Sequence, residues 1–271
     1  MALIVGAGIG GLAAAIALKR AGWNVRVFER AAKPRELGFA LMLAPNAMHA
    51  LGAPGLAETA RQGGFVMTSG EWRRPDGTVL RRLDTQSMRA LVDEDTVCIL
   101  RPVLHGMLLE AIGSDAVELG ASHFHEPFRG IVRATPPHEI RLDDLYELNP
   151  LDTWGAGPVT LLGDAAHPML PHAGQGAAQA LEDAAALGAV LREASNPAAI
   201  EVALRRYEDV RATRTRKVVD LASRNARIGS IRSGPVCWLR DQVIRYIPES
   251  VILKSLVALG RAPEITSVPT P

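Results

Sequence analysis

Apolar and polar positions along the chain fall into alternating short runs and longer helical stretches. Ala2–Val5 is an unbroken apolar run, glycines follow at Gly6, Gly8 and Gly11, and residues 12–21 have the Ala/Leu composition of a helix. Gly22 suits the end of that helix, and residues 24–28 alternate like a second strand that closes at Glu29. A further apolar run at residues 159–162 predicts a strand that stops at Gly163-Asp164. Two prolines and two histidines then lead into an Ala-rich segment over 174–191 with helical composition. Between these, "EWRRPDGTVLRRL" reads as two strands around an Asp76-Gly77 hairpin turn. The C-terminal "VCWLRDQVIRYIPESVILKSLVALG" is amphipathic and interrupted at Pro248. Strand–helix alternation predicts an α/β fold: a Rossmann-like domain with a parallel central sheet, plus a remnant of a smaller antiparallel sheet around residues 65–83. The expected division is 1–121 and 122–195 as two parts of that domain, with 196–271 a helical region.

Composition narrows the classes. With 271 residues and 48% hydrophobic positions the chain can bury a large core, and 4% aromatic content suits an Ala/Leu/Val-rich α/β protein. A formal charge of +1 predicts neither nucleic acid nor an anionic membrane as partner. Cys98 and Cys237 have no paired spacing, so neither a disulfide framework nor a zinc site is expected, and a reducing, cytoplasmic setting is the default. The stretch from Met1 to Leu18 carries no charge and matches a membrane span in composition, but its glycines are better explained by a strand running through a tight turn into a helix.

That turn is the first candidate site. Gly6, Gly8 and Gly11 form G-x-G-x-x-G between strand and helix: one glycine for the turn, one for close approach of a pyrophosphate, one for helix–strand packing. The helix N-terminus offers free N–H groups and a positive dipole end to phosphates. Glu29, eighteen residues past Gly11, stands where a carboxylate accepts both hydroxyls of an adenosine ribose. This motif alone does not separate NAD from FAD. The second site does: Asp164, at the end of the expected strand, can take hydrogen bonds from a polyhydroxy chain, and Gly174 and Gly176 let backbone amides at a helix start approach a flat, electron-rich ring. Only FAD has a ribityl chain, so an NAD-dependent dehydrogenase leaves Asp164 and "AGQG" unexplained.

With "GAGIGGLAAAIALKRAGWNVRVFER", "GFALMLAPNA", "LRPVLHGMLLEAI", "GDAAHPMLPHAGQGAAQALEDA" and "RRYEDVRATRTRKV" in this order, the chain resembles the FAD-dependent aromatic hydroxylases, the group of salicylate, urate and 6-hydroxynicotinate hydroxylases. The resemblance implies non-covalent FAD, NAD(P)H as electron donor, O2, and hydroxylation of a small aromatic or heteroaromatic substrate. It implies that Glu29 and Arg30 hold the adenosine ribose and its surroundings, that Gly10 sits at the pyrophosphate turn, and that Arg101 also contacts the cofactor. Asp164 would bind ribityl and pyrophosphate, with Pro171 and the backbone of Gly174, Gln175, Gly176, Ala177 and Ala178 beside the isoalloxazine.

One family feature is missing. A D-G motif followed by Ser and Arg is expected before "GDAAHP", and Asp76-Gly77 is the only D-G in the chain. "VELGASHFHEPF" reads as two distant family segments joined between Ala121 and Ser122, leaving out a stretch on the order of 100 residues, a small domain's worth. The alternative to a hydroxylase is therefore a minimal FAD-binding module acting at most as an uncoupled NAD(P)H oxidase. No residue reads as the catalytic general base. His123, His125 and His138 read as exposed positions near that junction rather than metal ligands, and His167 and His172 as loop residues. "RRYEDVRATRTRK" reads as a solvated helix face. The C-terminal segment reads as packing over the flavin domain or against a second copy in a homodimer.

Overall fold

Residues 1–31, 40–74, 77–119, 151–192, 194–231 and 233–261 are described by the structure, a computed structural model. The Ala121–Ser122 junction, His123, His125, His138 and Asp76 lie outside them.

β1 (Ala2–Val5) runs into α1 (Ile9–Arg20), which crosses over to β2 (Val25–Glu29), parallel to β1 with Ile4 opposite Val27. β8 (Val117–Leu119) adds in parallel on the far side of β2. This is the expected parallel sheet of a Rossmann-like domain. Ile4, Val25 and Val27 are buried on one face, while Leu3 and Val5 on the other face of β1 are exposed. α1 begins three residues earlier than its composition predicts, taking Gly10 and Gly11 into its first turn. Gly22 just past it has φ +89°, the left-handed conformation that ends helices.

β3 (Ala40–Leu43), β7 (Val97–Leu100) and β4 (Phe65–Val66) form an antiparallel sheet in the order β3-β7-β4. β5 (Ser69–Arg73) and β6 (Val79–Asp84) form the expected hairpin, closed where the Gly77 N–H donates to the Arg74 carbonyl at 2.9 Å. Three short helices, α2 (Pro45–Gly52), α3 (Ala57–Gly63) and α4 (Thr85–Val92), connect these strands, and α5 (Arg101–Ile112) follows β7.

The run at 159–162 is not a strand, contrary to the apolar pattern. The Leu161 N–H donates to the Trp154 carbonyl at 3.0 Å, folding the segment on itself. The Leu161 carbonyl accepts the Tyr207 hydroxyl at 3.1 Å and the Val159 carbonyl accepts Arg205 Nη2 at 2.9 Å. Groups that a sheet ladder would use are thus taken by a turn and by side chains of a helix. Asp164 consequently sits in a 3₁₀ turn, Gly163–Ala165.

Four helices complete the fold: α6 (Gly176–Leu191), α7 (Pro197–Gly229), α8 (Gly234–Tyr246) and α9 (Glu249–Gly260). α6 is Ala-rich and buried along most of its length, which lets α1 come close: a Cβ on Gly188 would lie 3.0 Å from the Ala17 Cβ. α7 starts where the Asn196 side chain accepts the Ala199 N–H at 2.9 Å, a helix cap followed by Pro197. α8 docks on the hairpin, with Arg74 Nε donating to Asp241 at 2.8 Å and Arg81 Nη1 to the Ile247 carbonyl at 2.5 Å. Among the described residues no helix is long and apolar enough to cross a membrane.

Candidate functional site

The glycines of the first motif divide their work by position. Gly6 has φ +101°, open to glycine at little cost. A Cβ on Gly8 would meet nothing within 4 Å, so the backbone there is open to a ligand. A Cβ on Gly11 would lie 2.0 Å from the Gly6 carbonyl oxygen, so the turn closes only over a glycine. Gly10 meets a different constraint: its Cβ would lie 3.1 Å from Leu162 and 3.2 Å from Ala180. It is the point where the start of α1 touches both α6 and the segment leading to Asp164.

Glu29 is held at the mouth of this turn. One carboxylate oxygen accepts the Ala7 N–H at 2.8 Å and the other the Ala31 N–H at 2.9 Å. His105 braces the turn from the opposite side, its ring Nε2 donating to the Ala7 carbonyl at 2.6 Å. Arg101 lies four residues earlier on the same face of α5, about 6 Å along the helix, and is exposed, as is Arg30. His105 was not legible in the sequence, because a single histidine in an apolar helix carries no spacing signal.

The second site gathers on the start of α6. Asp164 is exposed on its 3₁₀ turn, and Gly163, with φ +59°, is buried. Pro171 opens a second 3₁₀ turn, Pro171–Ala173, and Gly174 follows with φ +62° and Met42 of β3 beneath it. First-turn amides of Gly176, Ala177 and Ala178 have no partner within the helix. The side chains behind them point elsewhere: Ala178 is fully buried, and Gln175 is buried with its carbonyl oxygen accepting Asn46 Nδ2 at 2.9 Å. The backbone of this segment, with the half-buried Ala177 methyl, is what remains to face a ligand.

Beneath the second site lies a buried charged cluster that the sequence reading missed. Arg211 of α7, fully buried, donates through Nε to Asp183 at 2.6 Å and through Nη1 to Glu182 at 2.5 Å. Arg214 donates to Glu182 at 2.6 and 2.7 Å. Asp183 also accepts the Gly163 N–H at 2.8 Å and His167 Nε2 at 2.6 Å. Burial would push both carboxyls up. The guanidiniums of Arg214 and Arg211 outweigh it at Glu182, and His167 with Arg211 at Asp183, so both stay below the usual carboxylate range. Burial likewise works to lower the Arg211 guanidinium, and Asp183 and Glu182 raise it instead. Tyr207, beside this cluster, is pushed well above its usual value by burial and by Asp183.

The run "RRYEDVRATRTRK" is therefore only partly a solvated face: Arg211 and Arg214 turn inward. His167 is buried against Trp154, ring centroids 5.5 Å apart, whereas His172 is exposed. Among the described residues no group of His, Cys, Asp and Glu is arranged to hold a metal ion. A cavity of about 830 Å³ lies between α1, α2, α6 and the end of α9, lined by residues such as Ile16, His49 and Gly188. It contains no residue of the glycine turns.

Comparison with known proteins agrees with this layout. Residues 4–60 match the family described as NAD(P)-binding Rossmann-like domain, and residues 147–222 match FAD binding domain. The aurachin C monooxygenase/isomerase of Stigmatella aurantiaca is 37% identical over 126 residues, 46% of this chain and 32% of the relative. The chain thus spans about a third of the length of curated relatives that it matches in this way. The 3-hydroxybenzoate 6-hydroxylase 1 of Aquipseudomonas alcaligenes is 26% identical over 80% of this chain and 86% of its own. That alignment runs to 343 residues, longer than the 271-residue chain, so the relative carries a long stretch with no counterpart here. The crystal structure of Klebsiella pneumoniae HpxO with FAD and uric acid superposes with a TM-score of 0.80 at 18% identity, covering 95% of this chain and 96% of that one. At that identity the likeness is one of fold.

Proposed function

We propose that this chain, similar over part of its length to FAD-dependent monooxygenases, binds FAD non-covalently and hydroxylates a small aromatic or heteroaromatic compound with NAD(P)H and O2. The observation that carries the reading is the packing of the first glycine turn against the second site: Gly10 lies against Leu162, two residues before Asp164, and against Ala180 of α6. The residues fit the cofactor: open backbone at Gly8, a carboxylate held at the turn's mouth, an exposed Asp164, and a helix start whose amides are free.

In this reading Glu29, with Arg30, accepts and surrounds the adenosine ribose, and the backbone at Gly6, Gly8, Gly10 and Gly11 meets the pyrophosphate beside Arg101. Asp164 takes the ribityl hydroxyls and stands beside the pyrophosphate. Pro171 and the backbone of Gly174, Gln175, Gly176, Ala177 and Ala178 flank the ring, where the positive end of α6 favours negative charge. FAD supplies the electron transfer and oxygen chemistry, and the chain's task is to orient it and exclude water. The division into 1–121, 122–195 and 196–271 belongs to the same reading, as does a homodimer. The exposure of Val236, Leu239, Val243 and Tyr246 along α8 supports the homodimer. Free Cys98 and Cys237 are in keeping with a cytoplasmic setting.

A second reading is a minimal FAD-binding module that oxidises NAD(P)H without hydroxylating. The long stretch of the hydroxybenzoate hydroxylase that has no counterpart here favours it. Reconstitution with FAD, followed by measuring peroxide and hydroxylated product against NAD(P)H consumed over salicylate-like and pyridine-like compounds, separates the two. Product matching NAD(P)H supports the hydroxylase, and peroxide matching NAD(P)H supports the module. A chain that stays colourless after FAD and desalting removes both.

Glu29→Ala is expected to weaken FAD about ten- to a hundred-fold while leaving FMN nearly unchanged, since a lost charged hydrogen bond costs about 1.5–3 kcal/mol and FMN has no adenosine. Fluorescence titration with the two flavins measures this. Equal losses would mean that Glu29 acts on the fold and not on the ribose.

A further inference from the structure

Asp183 is fully buried on α6, and each of its oxygens has a separate task. Oδ1 accepts Arg211 Nε at 2.6 Å, which anchors the carboxylate to α7. Oδ2 accepts the Gly163 N–H at 2.8 Å and the His167 Nε2–H at 2.6 Å. Gly163 opens the 3₁₀ turn that carries Asp164, and His167 lies just beyond its end. The same turn is closed along the backbone, because the Ala166 and His167 amides both donate to the Gly163 carbonyl at 2.9 Å. One oxygen of Asp183 therefore grips the turn at both ends, and Asp164 stands exposed between the grips.

His167 is built for this contact alone. It is 5% exposed, packs against Trp154, and among the described residues its Nδ1 is buried with no hydrogen-bond partner. Packing by itself needs no ring nitrogen, and a phenyl ring would fill the same space against Trp154. An ionised Asp183 is acceptor-only, so His167 must carry its proton on Nε2.

We propose that His167 and Asp183 are positioning residues for Asp164, fixing the 3₁₀ turn so that its carboxylate is presented to the ribityl side of FAD. The proposal rests on FAD being the cofactor. Among the described residues no hydrogen bond of either side chain reaches the Gly6–Gly11 turn, so their effect should fall on the ribityl side of the cofactor.

The experiment is titration of FAD and of ADP, which carries the adenosine and the diphosphate but no ribityl chain, into wild type, His167→Phe, His167→Gln and Asp183→Asn, with melting temperature recorded for each. His167→Phe should weaken FAD about tenfold, the cost of misplacing one charged hydrogen bond, and leave ADP within about twofold. His167→Gln, which retains an N–H donor, should recover most of the FAD affinity, and Asp183→Asn should repeat the selective loss. Should Asp183→Asn fail to fold, the two His167 variants decide. Equal loss of FAD and ADP, no loss of either, or failure of Gln to restore FAD where Phe loses it overturns the positioning role. Wild type that binds ADP but not FAD overturns instead the cofactor assignment beneath it.

Discussion

Arg211→Ala is expected to lower the unfolding free energy by about 3–5 kcal/mol, because it leaves the buried Asp183 carboxylate without its guanidinium. Arg211 is fully buried and answers both Glu182 and Asp183, while Glu182 retains Arg214. The sign with pH follows from the direction of each shift. In the wild type both carboxyls are held below the usual range. Their stabilisation is thus present above the ordinary carboxylate pKa of about 4 and is lost as pH falls through the lower folded values. In the variant, Asp183 is buried without its guanidinium and its pKa rises, so that folding then favours the protonated form. The gap between the two proteins should therefore be widest near neutrality and shrink as pH approaches about 4. Urea unfolding at a series of pH values measures this. A gap below about 1 kcal/mol that does not change with pH would mean that the cluster makes no net contribution.

Much of the architecture could be read from the chain because local signals there agree with one another. G-x-G-x-x-G needs a strand before it and a helix after it, and Ala2–Val5 and Ile9–Arg20 supply both. The hairpin announced itself through turn chemistry at Gly77. What escaped was set by tertiary partners. The apolar run at 159–162 has the composition of a strand, yet Trp154, Tyr207 and Arg205 capture its peptide groups, and no periodicity encodes that.

The charged cluster escaped for the same reason, and a clue was present. Glu182 and Asp183 sit side by side in a helix that is otherwise almost wholly apolar. Two acids at such a place require buried cations, and α7 supplies them from nearly thirty residues away in sequence, in direct contact in space. The basic run on α7 looked solvated because its helical spacing spreads charge all round. Burial then selected Arg211 and Arg214 from that spread. The candidate site follows the same division. Its glycines and Asp164 were legible, since backbone conformation writes itself into residue choice. The residues that hold them, His105, His167 and Asp183, were not, since any of several polar residues could occupy those places.

Two glycine substitutions should separate folding from binding. Gly11→Ala puts a Cβ 2.0 Å from the Gly6 carbonyl oxygen, and neither side of that contact can yield, since one is the helix backbone and the other a turn already at φ +101°. Overpacking against backbone is expected to cost about 3 kcal/mol or more, and to abolish FAD binding with it. Gly8→Ala meets nothing within 4 Å, and as the N-cap of α1 it should lose at most about 1 kcal/mol. Its methyl group nevertheless occupies the open space where a pyrophosphate must approach, so FAD affinity should fall sharply in a protein of nearly wild-type stability. Melting temperature and the FAD-to-protein ratio after desalting read the two effects apart. Full FAD content in Gly8→Ala would mean that the space above Gly8 is not where the phosphates lie. Wild-type melting of Gly11→Ala would mean that the turn does not close over Gly6.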